Sequence, residues 1–161
     1  MKREQKSLTN KGFSLVELII VVAIMAVLIG VLAPQYMRYV EKTKLQRDNT
    51  GISDVANVLK ISATEQEVNT AIAAAASAQA TLAFSGTPLT MQPSAVTELN
   101  DEVNLTIKMT DVQLTSSSYT KSAADGNVPT LIVKVDSKGI VSVSCDKWIE
   151  KPGEAPTTKN F

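Results

Sequence analysis

Residues 13–33 read FSLVELIIVVAIMAVLIGVLA, 21 residues carrying one charge, Glu17. As a helix rising about 1.5 Å per residue, such a run is roughly 30 Å long, the hydrocarbon thickness of a bilayer. The preceding residues, MKREQKSLTNKG, are net positive, with Lys2, Arg3, Lys6 and Lys11 against Glu4. A basic flank ahead of an apolar span predicts a cytoplasmic N-terminus and a C-terminal part delivered to the other side. Everything after Pro34 is therefore expected outside the membrane.

The rest of the composition narrows the function classes. A chain of 161 residues is one domain's worth, and its 16 Lys+Arg balance 16 Asp+Glu. That balance gives no reason to expect a nucleic-acid partner. The absence of His removes the usual general base at neutral pH and the commonest metal ligand. One cysteine, Cys145, can form neither an internal disulfide nor a Cys-rich zinc site. No glycine-rich phosphate loop, metalloprotease helix motif or calcium-loop spacing occurs, and the carboxylates are scattered without paired spacing. The expectation is a protein that is not an enzyme and uses no metal or cofactor.

Three readings compete for the apolar run. A secretory signal has a core of about 7–15 residues and a small-residue cleavage site. Here the core is longer, and the one nearby site, Val31-Leu32-Ala33, is followed by Pro34. A plain signal anchor fits the length but leaves Gly12-Phe13 and Glu17 without a reason. Ser14-Leu15-Val16-Glu17 also spells a capping box, which would satisfy backbone donors at a helix start. A charge in the membrane costs about 2.5–3.5 kcal/mol at the centre and less near the edge, which favours an interaction role over capping alone.

The junction Lys11-Gly12-Phe13-Ser14-Leu15-Val16-Glu17 resembles the cleavage and methylation motif of type IV prepilins. The resemblance implies cleavage between Gly12 and Phe13 by a membrane peptidase and N-methylation of Phe13. It places Glu17 at the fifth mature position, where the family's glutamate pairs with the N-terminal amine of a neighbouring subunit. Pro34, Tyr36 and Tyr39 also fall where many members carry them, and Pro34 is expected to kink the helix. Many Gram-negative pilins close the C-terminal region with a disulfide, which one Cys cannot do; the similarity is to a Gram-positive, major-type pilin whose head relies on packing.

The implied fold is α+β, the type IV pilin fold, a long N-terminal helix packed against a small antiparallel sheet. The implied function is a structural pilus subunit, inserted in the cytoplasmic membrane as a single-pass precursor and polymerised into a helical homo-oligomer at the cell surface. The implied partners are the prepilin peptidase, an inner-membrane platform protein and an assembly ATPase. Such filaments (fimbriae) serve adhesion, twitching motility, biofilm formation or DNA uptake. The nearest alternatives are a pseudopilin of a type II secretion or DNA-uptake system and a minor pilin. An anchored head of another class would keep residues 1–12 and form no polymer.

The pattern partitions the chain into a leader (1–12), a span and filament core (13–33), an amphipathic continuation of the first helix (34–62) and a globular head (63–161). In the continuation Tyr36, Tyr39, Val40, Leu45, Ile52, Val55 and Leu59 form the expected core stripe, with Arg38, Glu41, Lys42, Lys44, Arg47, Asp48 and Asp54 on the remaining surface. Thr64-Glu65-Gln66-Glu67 reads as a capping box that ends the first helix near Ser62 and starts a second over 68–83. Residues 86–100 read as a loop with a helical turn after Ser94. Val103, Leu105, Ile107 and Met109 alternate as a strand, with a bulge or turn near Asp111 before Val112 and Leu114. Residues 131–135 and 140–145 read as a hairpin within a sheet of three or four strands. Cys145 is expected in the core, Trp148 and Phe161 over a sheet edge. The Asn104-Leu105-Thr106 sequon reads as incidental.

Overall fold

The structure, a computed structural model, describes residues 12–161; the leader, apart from Gly12, lies outside the described residues. Two compact units result, Met1–Arg38 and Tyr39–Phe161. One helix, α1 (Leu15–Ser62), contributes to each. Its end at Ser62 is the one read from the sequence.

In the first unit the apolar side chains of α1 are exposed all round, from Leu15 and Val16 through Ile24 to Leu32. A helix apolar on every side is the pattern of a membrane span, and this is the one described helix long and apolar enough to cross a bilayer. Pro34 sits inside α1. It has no N–H to offer the carbonyl four residues earlier.

In the second unit α1 is followed by α2 (Gln66–Ala74), β1 (Gln79–Ser85), β2 (Leu89–Met91) and α3 (Thr97–Thr106). Then come β3 (Gln113–Leu114), α4 (Ser117–Ala124), β4 (Thr130–Val135), β5 (Val141–Trp148) and β6 (Thr157–Asn160). The six strands form one sheet in the order β3-β2-β1-β4-β5-β6, every pair antiparallel. The architecture is α+β, with the long helix packed on the sheet as in the type IV pilin fold.

The core joins Leu45, Ile52, Val55, Ala56 and Leu59 of α1 to Leu82 and Phe84 of β1, Leu131 and Val133 of β4, and Val143 and Cys145 of β5. The expected stripe holds from Leu45 onward. Tyr36 and Tyr39 are corrected to the surface, and Asp48, expected there, is buried.

The β4–β5 hairpin forms as expected, pairing Leu131 with Cys145 and Val133 with Val143. Its turn is closed by Asp136, whose Oδ1 accepts the N–H groups of Lys138 and Ile140, both at 2.8 Å. Gly139 takes the left-handed backbone this turn needs, with φ 77°.

Three of the expected helices and strands are overturned. The second helix stops at Ala74 rather than Ala83, because Ser77 and Ala78 adopt positive φ and redirect the chain into β1. From Gln79 the burial alternates, with Ala80, Leu82 and Phe84 inward, so pairing with β4 outweighs the helix preference of an Ala-rich stretch. Residues 103–109 are not a strand: α3 runs to Thr106, followed by a 3₁₀ turn at Met109–Asp111. Helical spacing buries Leu99 and Val103 together and leaves Leu105 80% exposed. The sheet has six strands, since β2 and β3 extend one edge and β6 the other.

The expected capping box at Thr64 does not form. Glu65 is the N-cap without a side-chain bond, and Thr64 Oγ1 instead donates to the Ile61 carbonyl at 2.6 Å.

Candidate functional site at the start of the apolar helix

Gly12, Phe13 and Ser14 precede the first helical residue, Leu15. Phe13 is 88% exposed, and a side chain added at Gly12 would meet nothing within 4 Å. The Gly12–Phe13 peptide bond is therefore open and outside any hydrogen-bonded element, the condition a peptidase needs.

Glu17 sits in the first turn of α1, where a carboxylate opposes the positive end of the helix dipole. Its Oε2 accepts the Ser14 N–H at 3.0 Å, while the Leu18 N–H donates to the Ser14 carbonyl at 3.2 Å. This is the glutamate half of a capping box. Oε1 takes no hydrogen bond among the described residues.

Compared with models of known families, residues 8–33 match the prokaryotic N-terminal methylation motif. The N-terminal segment is that of a type IV pilin-type prepilin. The match covers the N-terminal part, including Gly12, Phe13 and Glu17; over the whole chain, no curated protein and no solved structure matches. The prepilin motif and the apolar helix that follows it together describe a membrane-anchored precursor.

A second polar arrangement in the head escaped the sequence reading. Asp48 of α1 is 3% exposed and accepts the N–H groups of Thr115 and Ser116, both at 2.7 Å, and the Thr115 hydroxyl at 3.3 Å. Two turns earlier, Glu41 accepts the N–H groups of Ser117 and Ser118 at 3.1 and 2.9 Å and the Ser118 hydroxyl at 2.9 Å. Together the carboxylates cap four consecutive residues at the start of α4, where Ser116 is the N-cap and itself accepts from Tyr119 N–H. Burial pushes the Glu41 carboxyl up, but the hydrogen bonds from Ser117 and Ser118 outweigh it and hold the group below its ordinary 4.5.

Tyr119 carries the connection inward. Its hydroxyl donates to Asn49 Oδ1 at 2.6 Å and accepts the Ile149 N–H at 3.3 Å, while Asn49 Nδ2 donates to the Ile149 carbonyl at 2.9 Å. Burial raises this hydroxyl above its ordinary 10, so it stays protonated and can donate. The network fixes α4 and the end of β5 on α1 and leaves no buried side-chain polar atom unsatisfied among the described residues.

At the far sheet edge β6 covers β5. Trp148 is buried and meets Phe161 edge-to-face at 5.8 Å, and the Lys159 ammonium lies 4.1 Å from the Trp148 ring centre. The expected aromatic cover of the edge is thus present, with a cation added. Cys145 of β5 is free and buried.

Proposed function

We propose that this prepilin is a structural subunit of a type IV pilus. The precursor inserts with its N-terminus inside, is cleaved between Gly12 and Phe13, is methylated on Phe13, and leaves the bilayer sideways into a growing filament. The apolar half of α1 forms the filament interior, and the head from Tyr39 onward faces solvent. Its partners are further copies of itself, the prepilin peptidase, an inner-membrane platform protein and an assembly ATPase.

The observation that carries this reading is Glu17. It is the one charge in residues 13–33, where most side chains are apolar and exposed, and one of its oxygens takes no hydrogen bond among the described residues. In hydrocarbon the pairing of helices gains little from the hydrophobic effect, so a polar contact at fixed depth selects the register. The new amine at Phe13 is the cation that cleavage creates. Its charge, near an ordinary α-amino value of about 8, makes it a partner for the carboxylate of an adjacent copy.

The test is the N-terminal sequence and intact mass of protein sheared from the cell surface. A chain beginning at methylated Phe13 supports the proposal; one retaining the leader and found only in membranes overturns it. Glu17→Ala is expected to be cleaved normally and to form no filaments. Filaments of that variant at the wild-type level would remove the assembly role of Glu17.

A further inference from the structure

The first buried residue of α1 is Leu45. Ahead of it the helix carries five large side chains that stand exposed: Tyr36, Arg38, Tyr39, Lys42 and Lys44. Among the described residues the one ion pair is Lys151–Glu154, so none of these three cations has an ionic partner there. The one acid between Pro34 and Lys44 is Glu41, and its carboxylate is taken by the N–H groups of Ser117 and Ser118.

We propose that this stretch binds the anionic lipid headgroups of the bilayer that the apolar run enters. The inference rests on the chain being a membrane-anchored precursor and does not need the filament. Arg38, Lys42 and Lys44 come five, nine and eleven residues after Ala33, the last residue of the apolar run. Helical rise over those intervals is about 8, 14 and 17 Å. The polar layer of a bilayer adds about 5–8 Å on each side of the hydrocarbon. Arg38 therefore reaches headgroup depth. Lys42 falls within one screening length, about 8–10 Å, of the outer surface, and Lys44 falls at its edge. At that range an anionic leaflet attracts each Lys or Arg, and the flexible stems let the charged ends reach back towards phosphate. Tyr36 and Tyr39, three and six residues after Ala33, fall where aromatic rings with a polar tip collect at a membrane interface.

Continuity with the span argues for this occupant. Whenever residues 13–33 lie in hydrocarbon, the residues that follow them emerge among headgroups. A helix leaving a bilayer has headgroups on every side, so the cations need no common face. Lys42 and Lys44, about 200° apart around the helix, both meet lipid. The charge then selects the lipid: cations with no free carboxylate beside them favour an anionic headgroup over a zwitterionic one. The contact fixes the depth of the span, and a subunit that leaves the bilayer must release it.

The test uses full-length protein in vesicles of equal parts phosphatidylglycerol and phosphatidylcholine, with benzoylphenylalanine in place of Tyr39. Irradiation is expected to give about threefold more adducts with phosphatidylglycerol than with phosphatidylcholine. Arg38→Gln, Lys42→Gln and Lys44→Gln combined should bring that ratio to about one, as should about 1 M salt on the unsubstituted cations. Gln at Lys2, Arg3, Lys6 and Lys11 of the leader should leave the ratio in place, because those residues precede the span. Unfolding followed by Trp148 fluorescence checks that the triple variant keeps its head folded. Equal adducts with the two lipids, a ratio unmoved by the triple variant or by salt, or adducts mainly with another copy of the chain would each overturn the proposal while leaving the anchored reading intact. Release of the protein from vesicles by an alkaline wash would instead show that the anchored reading fails, and the lipid contact with it.

Discussion

Replacing Asp48 by Ala tests whether α4 is held by carboxylates of the long helix. The substitution removes the acceptor of three hydrogen bonds. Ser116 is fully buried, so its N–H would lose its partner with no water to replace it. An unsatisfied buried donor costs about 1–3 kcal/mol. Thr115 is exposed and can turn to solvent, so its two bonds add about 1 kcal/mol at the net value of an ordinary hydrogen bond. The sum is about 3 kcal/mol, which for a head of this size lowers Tm by about 10 °C. Glu41→Ala removes as many bonds, but to groups nearer the surface, and should cost about 1 kcal/mol or less. Denaturation of the detergent-solubilised protein, followed by fluorescence of its single tryptophan, Trp148, measures both. The decisive feature is the order of the two variants. A cost for Asp48→Ala within about 0.5 kcal/mol of zero, or smaller than that for Glu41→Ala, would refute the argument that burial of Ser116 sets the magnitude.

Three further outcomes follow from particular groups. The folded-state Glu41 carboxyl is held below 4.5, so its contribution to stability is complete above that pH and is lost as the pH falls through the depressed value. Wild-type protein should lose more stability as the pH falls below 4.5 than Glu41→Gln does, and equal losses would remove the assigned role. Gly51→Ala should stabilise the helix by about 1 kcal/mol, whereas Gly139→Ala, at φ 77°, should destabilise the hairpin by about 1 kcal/mol or more. Opposite signs in the same denaturation assay check the pair. Burial pushes the Cys145 thiol up to about 12, so alkylation at pH 8 should be slow in folded protein and should accelerate once denaturant unfolds the head. Rapid alkylation of the wild-type chain would contradict the burial.

What could be read from the sequence follows the distance over which each feature is determined. The prepilin junction is seven consecutive residues, and the span is an unbroken apolar run, so both are legible without any tertiary information. The α1 stripe from Leu45 to Leu59 and the β4–β5 hairpin repeat a single period over enough residues to be unambiguous. The switch from α2 to β1 is harder, because positive φ at Ser77 and Ala78 carries no glycine to announce it. A signal was nonetheless present: Ala80, Leu82 and Phe84 alternate with Gln79, Thr81, Ala83 and Ser85, a period the Ala-rich composition masked. Beta-6 gave no pattern at all, since its four residues are exposed and it exists as a strand through its partner, β5.

The α4 cap shows why such features escape. Residues 115–120 are Thr, Ser, Ser, Ser, Tyr and Thr, with Tyr119 the one buried residue of α4, so no apolar period marks a helix there. Ser116 supplies a local N-cap, but the donors of residues 115–118 are met by Asp48 and Glu41, 67 to 77 positions earlier. Within their own helix those two acids look like ordinary solvent-facing charges. Asp48 lies three residues past Leu45 and four before Ile52, which places it on the buried stripe. A carboxylate at a core position needs donors from elsewhere in the chain, and a serine-rich segment without apolar support needs an acceptor. Each half of the contact is anomalous alone, and each anomaly is resolved by the other. That complementarity makes the cap a structural joint between α1 and α4 rather than two incidental surface charges.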